Sequence, residues 1–223
     1  MKALAIDSAV TKFTVAVKND DHTVSCAYDV GMRQSELLLP AVDYVLKTAG
    51  LAPCDLDFTA VCAGPGSFTG LRLSFALLKA LQLSVRCPVY AVPTLDAYAY
   101  HYRKLPFAVL CAVDAKKDRF YAKIIKNGQT LVADGDYTPS ELLDKIAAEP
   151  EILICGSDSR LLYERMEGAL QKRNVHLMPF TADTSAALFE LALEQQQSSV
   201  APLYDYDGPI YIRPSEAEEK IAK

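Results

Sequence analysis

The sequence has no C-x-x-C pair, only three histidines, and fewer basic than acidic residues, 23 against 28. Each shortage removes a class of function. With no paired cysteines there is no zinc-ribbon or thioredoxin-type motif, and the six cysteines, several of them inside apolar runs, read as buried reduced thiols. His22, His101 and His176 are too widely spaced to make a metal-ligand pair, so no metal site is expected. A formal charge of −5 and a pI near 5.3 argue against a protein that grips nucleic acid by itself, because phosphate contacts need a basic surface. The apolar stretch after Met1 is too short for a signal peptide, and no later segment reads as a membrane span. A soluble cytoplasmic protein is expected.

What the chain does have is apolar bulk and a glycine-rich turn. Of its 223 residues, 51% are hydrophobic, enough for one large domain or two lobes. The most informative stretch is Gly64-Pro65-Gly66-Ser67-Phe68-Thr69-Gly70-Leu71-Arg72, which follows the strand-like Ala60-Val61-Cys62-Ala63 and opens an apolar helical segment. A strand-to-helix turn of this kind presents backbone N–H groups at a helix N-terminus, where an anion or another chain can use them. Its spacing fits neither common phosphate loop. No Gly-Lys pair follows to make a Walker A loop, the glycines lie too far apart for G-x-G-x-x-G, and Pro65 removes an amide. Locally, the glycines let helix and strand approach, and Ser67 or Thr69 can cap the first turn.

The chain also repeats itself. Leu4-Ala5-Ile6-Asp7 matches Cys111-Ala112-Val113-Asp114 at an offset of 107, and Phe13 falls on Phe120. At the same offset the hairpin signals Asp20-Asp21 and Asn127-Gly128 coincide, each between β-rich runs. Ser35-Glu36-Leu37-Leu38 recurs as Ser140-Glu141-Leu142-Leu143, with each Ser predicted as an N-cap and each Glu in the first turn. The order strand, hairpin, strand, helix, strand, helix thus occurs twice. It predicts an α/β architecture of two duplicated lobes, residues 1–104 and 105–223, with the crevice between them as the natural ligand site.

These segments resemble the TsaB family, which supports threonylcarbamoyladenosine formation on tRNA in bacteria. The resemblance runs through Asp7, Ser35 to Pro40, the loop Gly64 to Arg72, Val113-Asp114-Ala115 and the tail Pro209-Ile210-Tyr211-Ile212-Arg213. It implies the actin/Hsp70/sugar-kinase-like fold of two ribonuclease-H-like lobes. It also implies a non-catalytic scaffold that binds and activates the transferase TsaD, or pairs with itself when TsaD is absent. The ATPase TsaE and the enzyme making threonylcarbamoyl-AMP are implied as further partners, with tRNA reached only through the complex and ATP or ADP at the joint between partners. TsaD holds a metal through an H-x-x-x-H motif; the similar segment Val92 to Tyr98 puts Thr94 and Tyr98 at those two positions.

Two sets of candidate residues follow. Asp7 and Asp114, at the ends of two strands, could hold a Mg-nucleotide with Ser8 and Thr11, which would make the chain a small kinase or ATPase. The alternative is that each carboxylate serves its own loop, since Ser8-Ala9-Val10-Thr11 contains no glycine. The second set is a docking surface. The helix after the glycine loop is apolar around its whole circumference, and the helix from Leu37 to Leu46 is nearly as broad. One face can cover a sheet while the other meets a subunit, with Leu37, Ala41, Tyr44, Leu73, Ala76, Leu77 and Ala80 expected at the contact. Gly64, Gly66, Ser67, Thr69, Gly70 and Arg72 are expected beside it, with Arg72 held by a carboxylate or another chain's carbonyls.

Overall fold

The internal repeat becomes two five-stranded sheets of the same strand order in a computed structural model, which describes residues 1–179 and 183–213. In the first half, β1 (Lys2–Asp7), β2 (Lys12–Asn19) and β3 (His22–Asp29) form an antiparallel meander. The chain then runs through α1 (Gln34–Thr48), β4 (Phe58–Cys62), α2 (Phe68–Val85), β5 (Val89–Val92) and α3 (Thr94–Ala99). The second half repeats this with β6 (Ala108–Asp114), β7 (Phe120–Lys126), β8 (Gln129–Tyr137), α4 (Pro139–Lys145), β9 (Glu151–Cys155), α5 (Ser159–Leu170), β10 (Asn174–Leu177) and α6 (Ser185–Gln197). The sheet orders are β3-β2-β1-β4-β5 and β8-β7-β6-β9-β10.

Burial explains the placing of each strand. β4 is buried at every position and β1 at all but its first, as expected for the centre of a sheet covered on both faces. β3 alternates exposed with half-buried residues, which suits an edge. In the first sheet one face packs Leu4, Ile6, Phe13 and Val15 against Leu38, Val42 and Val45 of α1 and Phe75 and Leu78 of α2.

The chain forms two compact units, divided differently from a single cut after residue 104. The first holds the chain up to Ala97 and takes it back for a later stretch ending at Ile210; the second starts at Tyr98 and resumes at Tyr211. The return has a packing cause. Helix α6 lies on β1, β4 and β5, burying Ala187, Leu188, Phe189 and Ala192. The segment after it runs beside β5, where the Leu203 N–H donates to the Val89 carbonyl at 2.8 Å. A sheet with two apolar faces needs cover on both, and α1 and α2 supply only one.

Two local expectations are corrected. Neither Ser35 nor Ser140 is an N-cap: both lie inside their helices, and α4 is capped by Thr138 in a reciprocal box with Glu141. Helix α2 is long and apolar enough to cross a membrane, with mean hydropathy 1.2 over 18 residues, contrary to the reading that no segment approaches a span. Length and composition alone are weak grounds for a span, and this helix packs on a sheet.

Candidate docking site

Asp7 lies at the end of β1 and is almost wholly buried. One carboxylate oxygen accepts from the Ala9 N–H at 3.0 Å, the other from the Thr184 hydroxyl at 2.8 Å. The glycine loop closes over the residues that follow it. The Ser67 N–H donates to the Ala9 carbonyl at 2.6 Å, and the Ser8 hydroxyl sits 2.7 Å from the Gly70 carbonyl and 2.9 Å from the Ser74 hydroxyl. A Cβ at Gly66 would stand 2.4 Å from the Ala9 carbonyl oxygen, and one at Gly70 would stand 2.0 Å from that of Ser8. Both positions therefore require glycine for close approach, not for an unusual torsion. Gly64 needs it for both reasons, with φ +110° and a Cβ position 2.3 Å from the Ile210 carbonyl oxygen.

Backbone amides of the glycine loop serve contacts within the chain. The Ser67 amide is engaged, and the Gly70 N–H donates to the Ser67 side chain at 3.2 Å, the cap expected of Ser67. Thr11 is exposed, while Ser8 beside Asp7 is buried. Cys62, at the end of β4, completes the buried polar cluster; burial pushes its thiol well up, and the Asp7 charge adds to that. Asp7 acts here as an anchor for its own loop and for the start of α6.

Asp114 belongs to the second unit and also serves its own loop. It accepts from the Lys116 N–H at 2.8 Å and pairs with the Lys116 ammonium, while its own N–H donates to Asp158 at 2.9 Å. Thr94 is buried, its hydroxyl accepting from the Gly64 N–H at 3.1 Å, and Tyr98 is buried too. Neither residue type suits a metal, and among the described residues no group of three His, Cys, Asp or Glu could hold one.

The first unit carries an open groove of about 580 Å³ between α1 and α2. Leu38, Leu39, Val42 and Leu46 line it from α1, and Leu73, Leu77, Ala80 and Leu81 from α2, with Pro53 also in the lining. Three of the seven expected contact residues, Leu73, Leu77 and Ala80, lie in it. Ala76 is exposed on the next turn and Tyr44 is 56% exposed on α1, both outside the lining. Ala41 is a correction: it is buried in the core together with Leu38, Val42 and Leu46, which border the groove from the core side, while Leu39 is the exposed leucine of α1. Leu37 is half-buried against the same core. The residues missed on α1 follow a helical spacing, and Leu39 is 64% exposed in a helix that otherwise buries its leucines. Beside the groove's helix, Thr69 is exposed and the Arg72 guanidinium lies 3.9 Å from the centre of the Phe68 ring, a cation–π contact.

Comparison with known proteins matches residues 30–204 to the family described as "TsaD: tRNA N6-adenosine threonylcarbamoyltransferase". The "tRNA threonylcarbamoyladenosine biosynthesis protein TsaB" of Bacillus subtilis is 28% identical over 227 residues, covering 99% of this chain and 97% of that protein. A Pseudomonas aeruginosa protein of solved structure, described as similar to peptidase YEAZ, matches with TM-score 0.77 and 23% identity over 95% of this chain and 99% of its own. A ROK family glucokinase of Streptomyces griseus, solved with glucose and AMPPNP, matches with TM-score 0.51 and 12% identity over 88% of this chain and 100% of its own. These two likenesses bear on the fold alone. The architecture is α/β, of the kind these two structures share.

Proposed function

The chain belongs to the TsaD family and, within it, to the TsaB proteins, and on that premise we propose that it is the non-catalytic partner of a TsaD-type transferase in tRNA threonylcarbamoyladenosine biosynthesis. The observation that carries this reading is the apolar groove between α1 and α2. Leu73, Leu77 and Leu81 on α2 are half-buried and Leu39 on α1 is exposed, and such side chains gain by meeting another apolar surface, at about 25 cal/mol for each Å² removed from water. The partner supplies the chemistry in this reading, since Asp7 is occupied by its own chain and Thr94 and Tyr98 are poor metal ligands.

In the absence of TsaD the same groove pairs two copies of the chain. A TsaE-type ATPase and the enzyme that makes threonylcarbamoyl-AMP act with the complex, and tRNA is held by the complex as a whole. The first unit is the docking lobe, and any ATP or ADP binds where the partners join. The test is reconstitution: purified TsaD from the same organism, threonylcarbamoyl-AMP and tRNA, with and without this chain. Modification that depends on the chain is expected; equal modification without it overturns the proposal.

A further inference from the structure

Cys111 on β6 and Cys155, the last residue of β9, stand directly opposite each other where these two strands run parallel. Leu110, Ala112, Ile152 and Ile154 point to the core on one face of the sheet, so by alternation both cysteines point to the other face. Neighbouring strands lie about 4.8 Å apart, inside the Cα span of roughly 4.4–6.8 Å that a disulfide bridges. Both thiols are buried and neither is in a disulfide. The other cysteines are placed differently: Cys26 stands opposite Val15, Cys62 opposite Val92, and Cys54 and Cys87 lie outside the strands. The two strand ends are held together by contacts that do not use sulfur. A Cβ at Gly156 would stand 2.2 Å from the Ala112 carbonyl oxygen, and the Asp158 carboxylate accepts from the Asp114 N–H at 2.9 Å.

We propose that Cys111 and Cys155 are a reversible oxidation site, which a peroxide converts into an intramolecular disulfide. Both residues belong to the second unit, so the proposal is independent of the docking groove. Cys155 reacts first, because it ends its strand close to the half-buried Tyr102, whereas Cys111 lies inside β6. Hydrogen peroxide is hardly larger than water and reaches this strand end by local opening. The Cys155 sulfur attacks one peroxide oxygen, the O–O bond breaks, and a sulfenic acid and water form. The Cys111 sulfur then attacks the sulfenic sulfur; the S–S bond forms, the S–O bond breaks, and a second water leaves. Two electrons pass from the thiols to the peroxide. The new bond staples β6 to β9 at the ends that Gly156 and Asp158 already hold.

The test uses the full chain with Cys54→Ser, which removes the exposed cysteine and with it links between copies through that residue. The reduced protein is treated with hydrogen peroxide, quenched and denatured, its thiols are counted and its peptides mapped by mass spectrometry. The expected result is the loss of two thiols, a peptide pair joined through Cys111 and Cys155, and full recovery of both thiols with dithiothreitol. In the same background Cys111→Ala should stop at a Cys155 sulfenic acid that dimedone traps; if that variant fails to fold, the peptide map of the intact pair decides alone. Thiols that all survive overturn the proposal. So do links made through Cys26, Cys62 or Cys87, or sulfinic acids at Cys111 and Cys155 with no bond between them.

Discussion

The Thr184 hydroxyl donates to Oδ2 of Asp7 across 2.8 Å, tying the end of β1 to the N-terminus of α6, 177 residues later. Both residues are buried. Thr184→Val removes this donor from a buried carboxylate and should destabilise the protein by about 1–3 kcal/mol. A double-mutant cycle with Asp7→Ala, read by urea denaturation, should show that the two losses are not additive. Mg-ATP is expected to leave the melting temperature unchanged. A clear rise would return Asp7 to a nucleotide role.

Glycines in this chain divide by what surrounds them. Gly66→Ala and Gly70→Ala drive a methyl group into backbone oxygens and should each cost about 1–3 kcal/mol or more. Gly168 lies inside α5 with open space around it, so Gly168→Ala should stabilise by about 1 kcal/mol. Thermal melts of the three variants check the contrast, and equal effects would refute it.

For the groove, Ala76→Arg places a charge on an exposed turn and should leave the chain folded while blocking association. Leu77→Glu reaches into the groove itself and should do the same with some loss of stability, since Leu77 packs partly on the core. Gel filtration with TsaD is the measurement, beside circular dichroism to confirm folding. A complex of unchanged size with Ala76→Arg would exclude that turn from the interface.

Acid should loosen α4 through Glu141. The Thr138 N–H and hydroxyl bind its carboxylate and hold it below the ordinary Glu value, with Arg119 contributing less. A value lowered in the folded state adds stability above the unfolded value, roughly 4.3, and the gain disappears as pH falls through the folded value. Glu141→Gln keeps a side chain that can complete the cap but cannot titrate. The stability difference between wild type and variant, followed by denaturation from pH 7 to pH 3, should therefore shrink at the acid end. A constant difference would contradict the assignment.

Much of the fold could be read locally. The turns at Asp20-Asp21 and Asn127-Gly128 join strands as predicted, and Asp20, Asn127 and Gly128 all adopt positive φ. The repeat reappears as the shared strand order. The return of α6 was not legible, because nothing in Ala187, Leu188 and Phe189 specifies which sheet they will cover. The groove was legible only in part. On α1 the stripes Leu37-Ala41-Tyr44 and Leu38-Val42-Leu46 are both apolar at helical spacing, so periodicity cannot choose between them. Packing cuts across both stripes: Leu38, Ala41, Val42 and Leu46 are all buried in the core, while Tyr44 and Leu39 are left exposed.

The interrupted path of the first unit has a consequence for synthesis on the ribosome. Its sheet has all five strands by Val92, yet the helix that covers its second face does not begin until Ser185. At translation rates of about 5–20 residues per second, that apolar face waits roughly 5–19 seconds for its cover. The lobe translated first thus receives its cover only after all five strands of the second sheet have been made, and in that interval the nascent chain is most exposed to misassembly and most in need of a chaperone.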